Sequence, residues 1–226
     1  MPKDFSLLQE NIGYTFKDKA LLAGALSHSS YVNEKNNSGT SNERLEFLGD
    51  SVLGFLTAEY FYESYSHLPE GELTRLRAAV VCERSLFDFA KEIKLGDFLF
   101  LGKGEMANGG TNRPSILADA FEALLAAIYL DSGMEEAKRF AMKFLEKASK
   151  KALSFKDYKT TLQEVVQKNP EESLEYVLVE ESGPDHNKSF TVEVHLNSNV
   201  IGRGKGKSKK NAEQEAAREA LELMGL

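Results

Sequence analysis

Five carboxylates stand at helical spacing in two short runs of this sequence. Glu43, Glu46 and Asp50 are three and four residues apart, and Asp119 and Glu122 are three apart. At about 100° per residue the first three fall within roughly 60° of one helix face, and the second two lie one turn apart. Spacing alone also describes a solvated acidic face, so the neighbours have to decide. Leu45, Phe47, Leu48, Val52, Leu53, Phe55 and Leu56 make the first helix apolar over most of its circumference, which predicts a largely buried helix. Ile116, Leu117, Ala118, Ala120, Phe121, Ala123, Leu124 and Leu125 surround the second pair, with no Lys or Arg within a turn. A buried charge without a partner is costly even after relaxation. Its counter-charge must come from elsewhere in the fold or from solution, and a divalent cation shared by the two helices would serve. An all-oxygen donor set suits Mg²⁺ or Mn²⁺ and not structural zinc. Carboxylates around such an ion, with coordination positions left open, suit hydrolysis of a phosphodiester: one ion can generate hydroxide and a second can stabilise the leaving oxygen.

Other arrangements carry less. Ser27-His28-Ser29-Ser30 offers a hydroxyl and an imidazole, but the sequence implies no acid nearby to orient His28, so it reads as an ordinary helix-end histidine. Gly202-Arg203-Gly204-Lys205-Gly206-Lys207-Ser208 has Ile201 where a phosphate-binding P-loop needs glycine. Gly102, Gly104, Gly109 and Gly110 neither follow a clear strand nor open a tight helix, so no dinucleotide fingerprint is expected. One cysteine, Cys82, cannot form a staple or a thiolate metal site.

The elements that must position the carboxylates are helical. From Leu7 to about Lys151 apolar residues recur at three- and four-residue spacings. Polar breaks fall at Asn33 to Ser41, His67 to Gly71 and Lys103 to Pro114, and Met134 to Lys151 predicts an amphipathic helix with a basic end. A boundary is expected near Leu153 to Lys156, dividing the chain into 1–153 and 156–226. Beyond it the pattern changes. Thr160 to Lys168 reads as a helix, and Leu174 to Glu181 as a strand with Leu174, Tyr176 and Leu178 on one face. Ser189 to Leu196 and Asn199 to Gly204 read as two more strands, and Lys209 to Met224 as a helix. Helix, three strands, helix in about 70 residues is a small α+β module.

The 226 residues carry a net charge of −7, the pI is about 5.3, and nucleic-acid binders are usually basic. The tail from Ser154 is itself acidic, with 10 Lys and Arg against 13 Asp and Glu, a net of −3. Its basic charge is concentrated, however: Arg203, Lys205, Lys207, Lys209 and Lys210 fill five of eight positions leading into the last helix. Lysines beside a helix N-terminus make a phosphate-binding surface, and local charge decides backbone binding. A solvated turn is the alternative. Met1 to Tyr14 lacks the pattern of a secretory signal. The apolar stretch Ile116 to Leu130 is too short and too charged to span a membrane. A cytoplasmic protein is expected.

Two runs now carry a resemblance. Asn42-Glu43-Arg44-Leu45-Glu46-Phe47-Leu48-Gly49-Asp50-Ser51 resembles the signature of the bacterial ribonuclease III family, and Ala118-Asp119-Ala120-Phe121-Glu122-Ala123 its second acidic motif. Lys207 to Ala217 is similar to the C-terminal motif of double-stranded-RNA-binding domains. The resemblance implies an all-α endonuclease domain followed by a small α-β-β-β-α RNA-binding domain. It implies that Glu46, Asp119 and Glu122, together with Asp50, hold catalytic Mg²⁺, which Mn²⁺ replaces. Asp50 and Glu122 are then the most critical for chemistry, with Glu43 in a supporting acidic position and Glu72 matching a weaker accessory one. Lys207, Lys209 and Lys210 are assigned to phosphates across the major groove, Gln163 and Glu164 to one minor groove and His186 to the next. The implied activity is staggered cutting of double-stranded RNA by a homodimer, leaving 5′-phosphates and 3′-hydroxyls, with roles in rRNA and mRNA processing and decay. No membrane and no small organic cofactor are expected. Two other readings of the same residues are a double-stranded-RNA-binding regulator that does not cut and a hydrolase of small phosphate esters.

Overall fold

The most apolar segment of the chain forms the central helix of its first unit. This is α8 (Pro114–Ser132), opened by a proline at its first position and closed by Gly133. Proline suits that position because its missing N–H has no helical partner there. In the computed structural model the chain divides into two units, Met1–Ser154 and Phe155–Leu226. The structure describes residues 5–35, 39–154, 158–169, 171–184 and 188–225.

The first unit also holds α1 (Ser6–Ile12), α2 (Lys19–Ala25), α3 (Ser29–Glu34), α4 (Glu43–Ser64), α5 (Glu70–Val80), α6 (Glu83–Glu92), α7 (Lys103–Ala107) and α9 (Met134–Ser154), and α8 packs chiefly against α2, α4, α6 and α9. From Ile116 to Ile128 every residue of α8 is buried except Asp119 and Glu122, which are half-buried. Four rings from three helices, Phe89, Phe121, Phe140 and Phe144, meet with centroids 5.2–5.6 Å apart. A fully buried Phe or Leu stabilises by about 1.5–3 kcal/mol relative to exposure, so this cluster holds α6, α8 and α9 as one body. The segment expected as a polar break, Lys103 to Pro114, instead contains α7 and a short 3-10 turn at Gly110–Asn112. The Arg113–Glu105 ion pair, at 2.6 Å, ties these turns together. Among the described residues no helix is long and apolar enough to cross a membrane.

The second unit comprises α10 (Tyr158–Val166), a sheet of β1 (Leu174–Ser182), β2 (Ser189–Leu196) and β3 (Asn199–Gly206), and α11 (Lys209–Leu223). The strands run antiparallel in sequence order. Ala212, Ala216, Ala217 and Ala220 are buried on one face of α11. Opposite them, a Cβ on Gly202 would come within 2.3 Å of the Ala216 carbonyl oxygen, and one on Gly204 within 2.2 Å of that of Ala212. The alternating glycines that resembled a P-loop are therefore the seat of α11. The alternation expected for β1 holds only in part. Leu174 and Tyr176 pack on the core, but the register shifts between Leu178 and Glu180, and Leu178 is exposed. Leu178 still pairs in register with Val192, so the bulge that follows breaks the period of two only beyond it and does not account for that exposure.

Candidate active site

Helices α4 and α8 cross at a glycine. A Cβ on Gly49 would stand 2.0 Å from the carbonyl oxygen of Glu122, so only hydrogen fits between the two backbones. Glu46 and Asp50 flank Gly49 on one helix, while Glu122 and Asp119 occupy the matching turn of the other. Three of these carboxyls are held above their ordinary values, in each case by burial first. Burial first, and then the charges of Asp50, Glu46 and Asp119, push the Glu122 carboxyl up to about 8. Burial raises Glu46 too, followed by Asp119, Glu43 and Asp50. Asp119 is raised by burial and by Glu83, and is partly relieved by His28. Among the described residues no three His, Cys, Asp or Glu side chains meet as a ready-made metal cage.

The expected residues are not equally placed. Glu46, Asp119 and Glu122 are half-buried, whereas Asp50 and Glu43 are exposed. Glu43 lies in the first turn of α4, where Ser41 Oγ donates to it at 3.0 Å. Glu72 is exposed in the first turn of α5. Helix α4 is less buried than its composition predicts. Val52, Leu53, Leu56 and Phe61 are in the core, but Phe47, Phe55 and Tyr62 are 78%, 54% and 77% exposed and share one face of the helix at spacings of eight and seven.

On the second unit, Ser208 caps α11 by accepting the Asn211 N–H at 3.2 Å. Lys207, Lys209 and Lys210 are exposed around that helix start. Arg203 and Lys205 alternate with the seat glycines and so project from the other face of the sheet, where Arg203 lies 3.8 Å from Glu193. The basic run therefore divides, and three lysines remain at the helix end. Gln163 and Glu164 are exposed on α10. His186 lies outside the described residues.

Residues 18–148 match a family model described as Ribonuclease-III-like, and residues 158–224 match the double-stranded RNA binding motif. A Ribonuclease 3 of Caldanaerobacter subterraneus subsp. tengcongensis is 51% identical over 97% of both chains. One of Oceanobacillus iheyensis is 50% identical over 97% of both. The chain belongs to the ribonuclease III family. Its first unit also resembles the solved nuclease domain of the Campylobacter jejuni ribonuclease III, with a TM-score of 0.60 and 43% identity, covering 64% of this chain and 98% of that one. This ribonuclease III thus joins a helical nuclease domain to a double-stranded-RNA-binding domain, as its sequence predicts.

Three residues near the carboxylates do not stand out in the sequence as parts of the site. Gly49 carries a signal, since glycine inside a helix costs about 1 kcal/mol relative to alanine and so needs a packing reason. His28 has no evident acid beside it in the sequence; in the fold it comes near enough to Asp119, 91 positions away, to favour that carboxylate's charge. Glu83, at the start of α6, also reaches Asp119 only through tertiary packing.

Proposed function

We propose that this ribonuclease III cuts double-stranded RNA at the α4–α8 carboxylates with Mg²⁺, for which Mn²⁺ substitutes. The observation that carries the reading is the half-buried Glu122, facing three other carboxylates without an opposing charge of matching size. Such a donor set fits a hard divalent cation. Glu46, Asp50, Asp119 and Glu122 would hold it, with Glu43 in support. When bound, the ion supplies a water of lowered pKa and positive charge against the phosphate oxygens. The chain's own part is positional. Gly49 lets the two helices approach closely enough that carboxylates from both would serve one cation. The Glu122 carboxyl, protonated near neutral pH in the ion-free protein, has to release its proton to act as a ligand. Lys207, Lys209 and Lys210 would grip backbone phosphates, while Gln163, Glu164 and His186 would read the minor grooves by shape. The products are 5′-phosphates and 3′-hydroxyls, and the roles are rRNA and mRNA processing and decay in the cytoplasm.

The test is cleavage of long duplex RNA in a series of ions. Mg²⁺ and Mn²⁺ should support cutting. Ca²⁺, larger and more loosely coordinated, should support RNA binding with little cutting. Full activity in excess chelator would refute the metal assignment.

The exposed Phe47, Phe55 and Tyr62 favour a homodimer, since an apolar patch often marks an interface. In the Campylobacter jejuni nuclease domain, a region involved in dimer formation shows structural flexibility. A two-fold dimer would present two identical sites, one for each antiparallel strand, giving a staggered break. Light scattering should return about twice the 25.1 kDa chain mass. A monomer that makes double-strand cuts would contradict the arrangement.

A further inference from the structure

Helices α10 and α11 are tied together at one lysine. Lys159 stands in the first turn of α10, and its Nζ lies 2.5 Å from Glu213 Oε2 on α11. The same ammonium sits 4.5 Å from the centre of the Tyr176 ring on β1, close enough for a cation–π attraction. The Lys159 backbone N–H is one that a helix start leaves without a helical acceptor, and it donates to Gln214 Oε1 at 3.2 Å. Apolar packing alone fixes this junction poorly. Helix α10 buries only Leu162 and Val166, and they share a core with the small side chains of Ala216 and Ala217. A face of alanines offers shallow grooves, so it sets the distance between two helices more firmly than their register. The register is left to the polar ties of Lys159.

These ties align the two proposed sets of RNA contacts. Gln163 lies one turn beyond Lys159 on the same side of α10, and Lys209 and Lys210 lie one turn before Glu213 on α11. Grooves and phosphates stand at fixed separations on an A-form duplex, so a slide of α10 along α11 would leave one set out of reach. We propose that Lys159 is a positioning residue for duplex RNA binding, which through Glu213 holds α10 in register with the lysines at the start of α11. The inference rests on the reading of Gln163, Glu164, Lys207, Lys209 and Lys210 as RNA contacts.

Charge and position predict opposite signs for one variant. Glu213→Ala removes an acid beside phosphate-binding lysines, so charge alone would tighten binding, whereas loss of the register weakens it. Binding of a short duplex RNA to the full-length protein is measured in excess chelator over a range of salt, beside thermal melting. Lys159→Met and Glu213→Ala should each bind about tenfold more weakly, through loss of one or two groove hydrogen bonds, and keep the salt slope of the unaltered protein. Lys159→Arg retains a cation for Tyr176 and Glu213 and should bind within about threefold of the unaltered protein. Melting temperatures should hold within a few degrees, since an ion pair whose partners are 36% and 27% exposed contributes little to stability. Tighter or unchanged binding by Glu213→Ala overturns the proposal. A salt slope lower by about one in Lys159→Met also overturns it, because Lys159 would then be a phosphate contact itself. So does weakened binding that only accompanies a large fall in melting temperature, which would leave the ion pair a merely structural role. Gln163→Ala with Glu164→Ala is the control. If it binds as tightly as the unaltered protein, the groove contacts themselves fall, and the role of Lys159 with them.

Discussion

Among single residues, Glu122 couples the site to stability. Its carboxyl is held at about 8, against an ordinary 4.5, by burial first and then by Asp50, Glu46 and Asp119. A raised acid means that the folded chain keeps a proton the unfolded chain has released. The contribution to stability is therefore full below about 4.5 and is lost as pH rises through about 8. Asp119 and Glu46 are shifted the same way and add to the slope. In excess chelator the protein should melt progressively lower from pH 5 to pH 9. Glu122→Gln should remove much of that slope, stabilising the ion-free protein at pH 9 by on the order of 1–3 kcal/mol. Melting temperatures of both proteins across that range check this, and a flat profile for the unaltered protein would contradict the coupling. The carboxylates themselves were legible in the sequence because each group lies within one helix, where spacing fixes the face. His28 and Glu83 were not, because only the packing of separate helices brings them to Asp119.

Between elements, the decisive contact is the crossing of α4 over α8. With a Cβ at position 49 directed to within 2.0 Å of a backbone oxygen, Gly49→Ala must move a helix. Overpacking of this kind costs about 1–3 kcal/mol, and the displacement falls between the two halves of the acidic site. The variant should melt lower and lose cleavage by about 100-fold, since misplacement by about 1 Å can cost that much, while still binding duplex RNA through the other domain. Wild-type melting and activity in Gly49→Ala would show that the close approach is not needed. The helices and strands of both units were legible from apolar period, and β2 has the expected bounds, Ser189–Leu196. The failures have physical causes. The bulge in β1 interrupts a period of two. The turns of α7 sit in a Gly- and Asn-rich stretch that ion pairing stabilises in place of propensity. On α4, composition could not say which apolar side chains the rest of the domain would leave uncovered.

Over the whole chain, an acidic protein can bind an acidic polymer because its charge is sorted. The net of −7 includes the clustered carboxylates of the nuclease domain, while Lys207, Lys209 and Lys210 surround one helix start. Each phosphate contact contributes roughly one unit to the logarithmic salt dependence of binding. Lys209→Ala with Lys210→Ala should therefore weaken duplex binding at all sequences and reduce the salt slope by about two. An unchanged slope in a filter-binding titration would remove these lysines from the interface. The charge sorting was legible in the sequence, but not the way the basic run splits between the two faces of β3.

Whether the α4–α8 carboxylates cut duplex RNA is decided by one cleavage assay. The full-length protein and Glu122→Gln, each in Mg²⁺, are incubated with long duplex RNA, single-stranded RNA and duplex DNA. The unaltered protein should cut only the duplex RNA, to fragments with 5′-phosphate ends, and Glu122→Gln should bind this substrate but leave it whole. Comparable cutting of single-stranded RNA or duplex DNA, or near-normal cutting of duplex RNA by Glu122→Gln, would contradict the assignment.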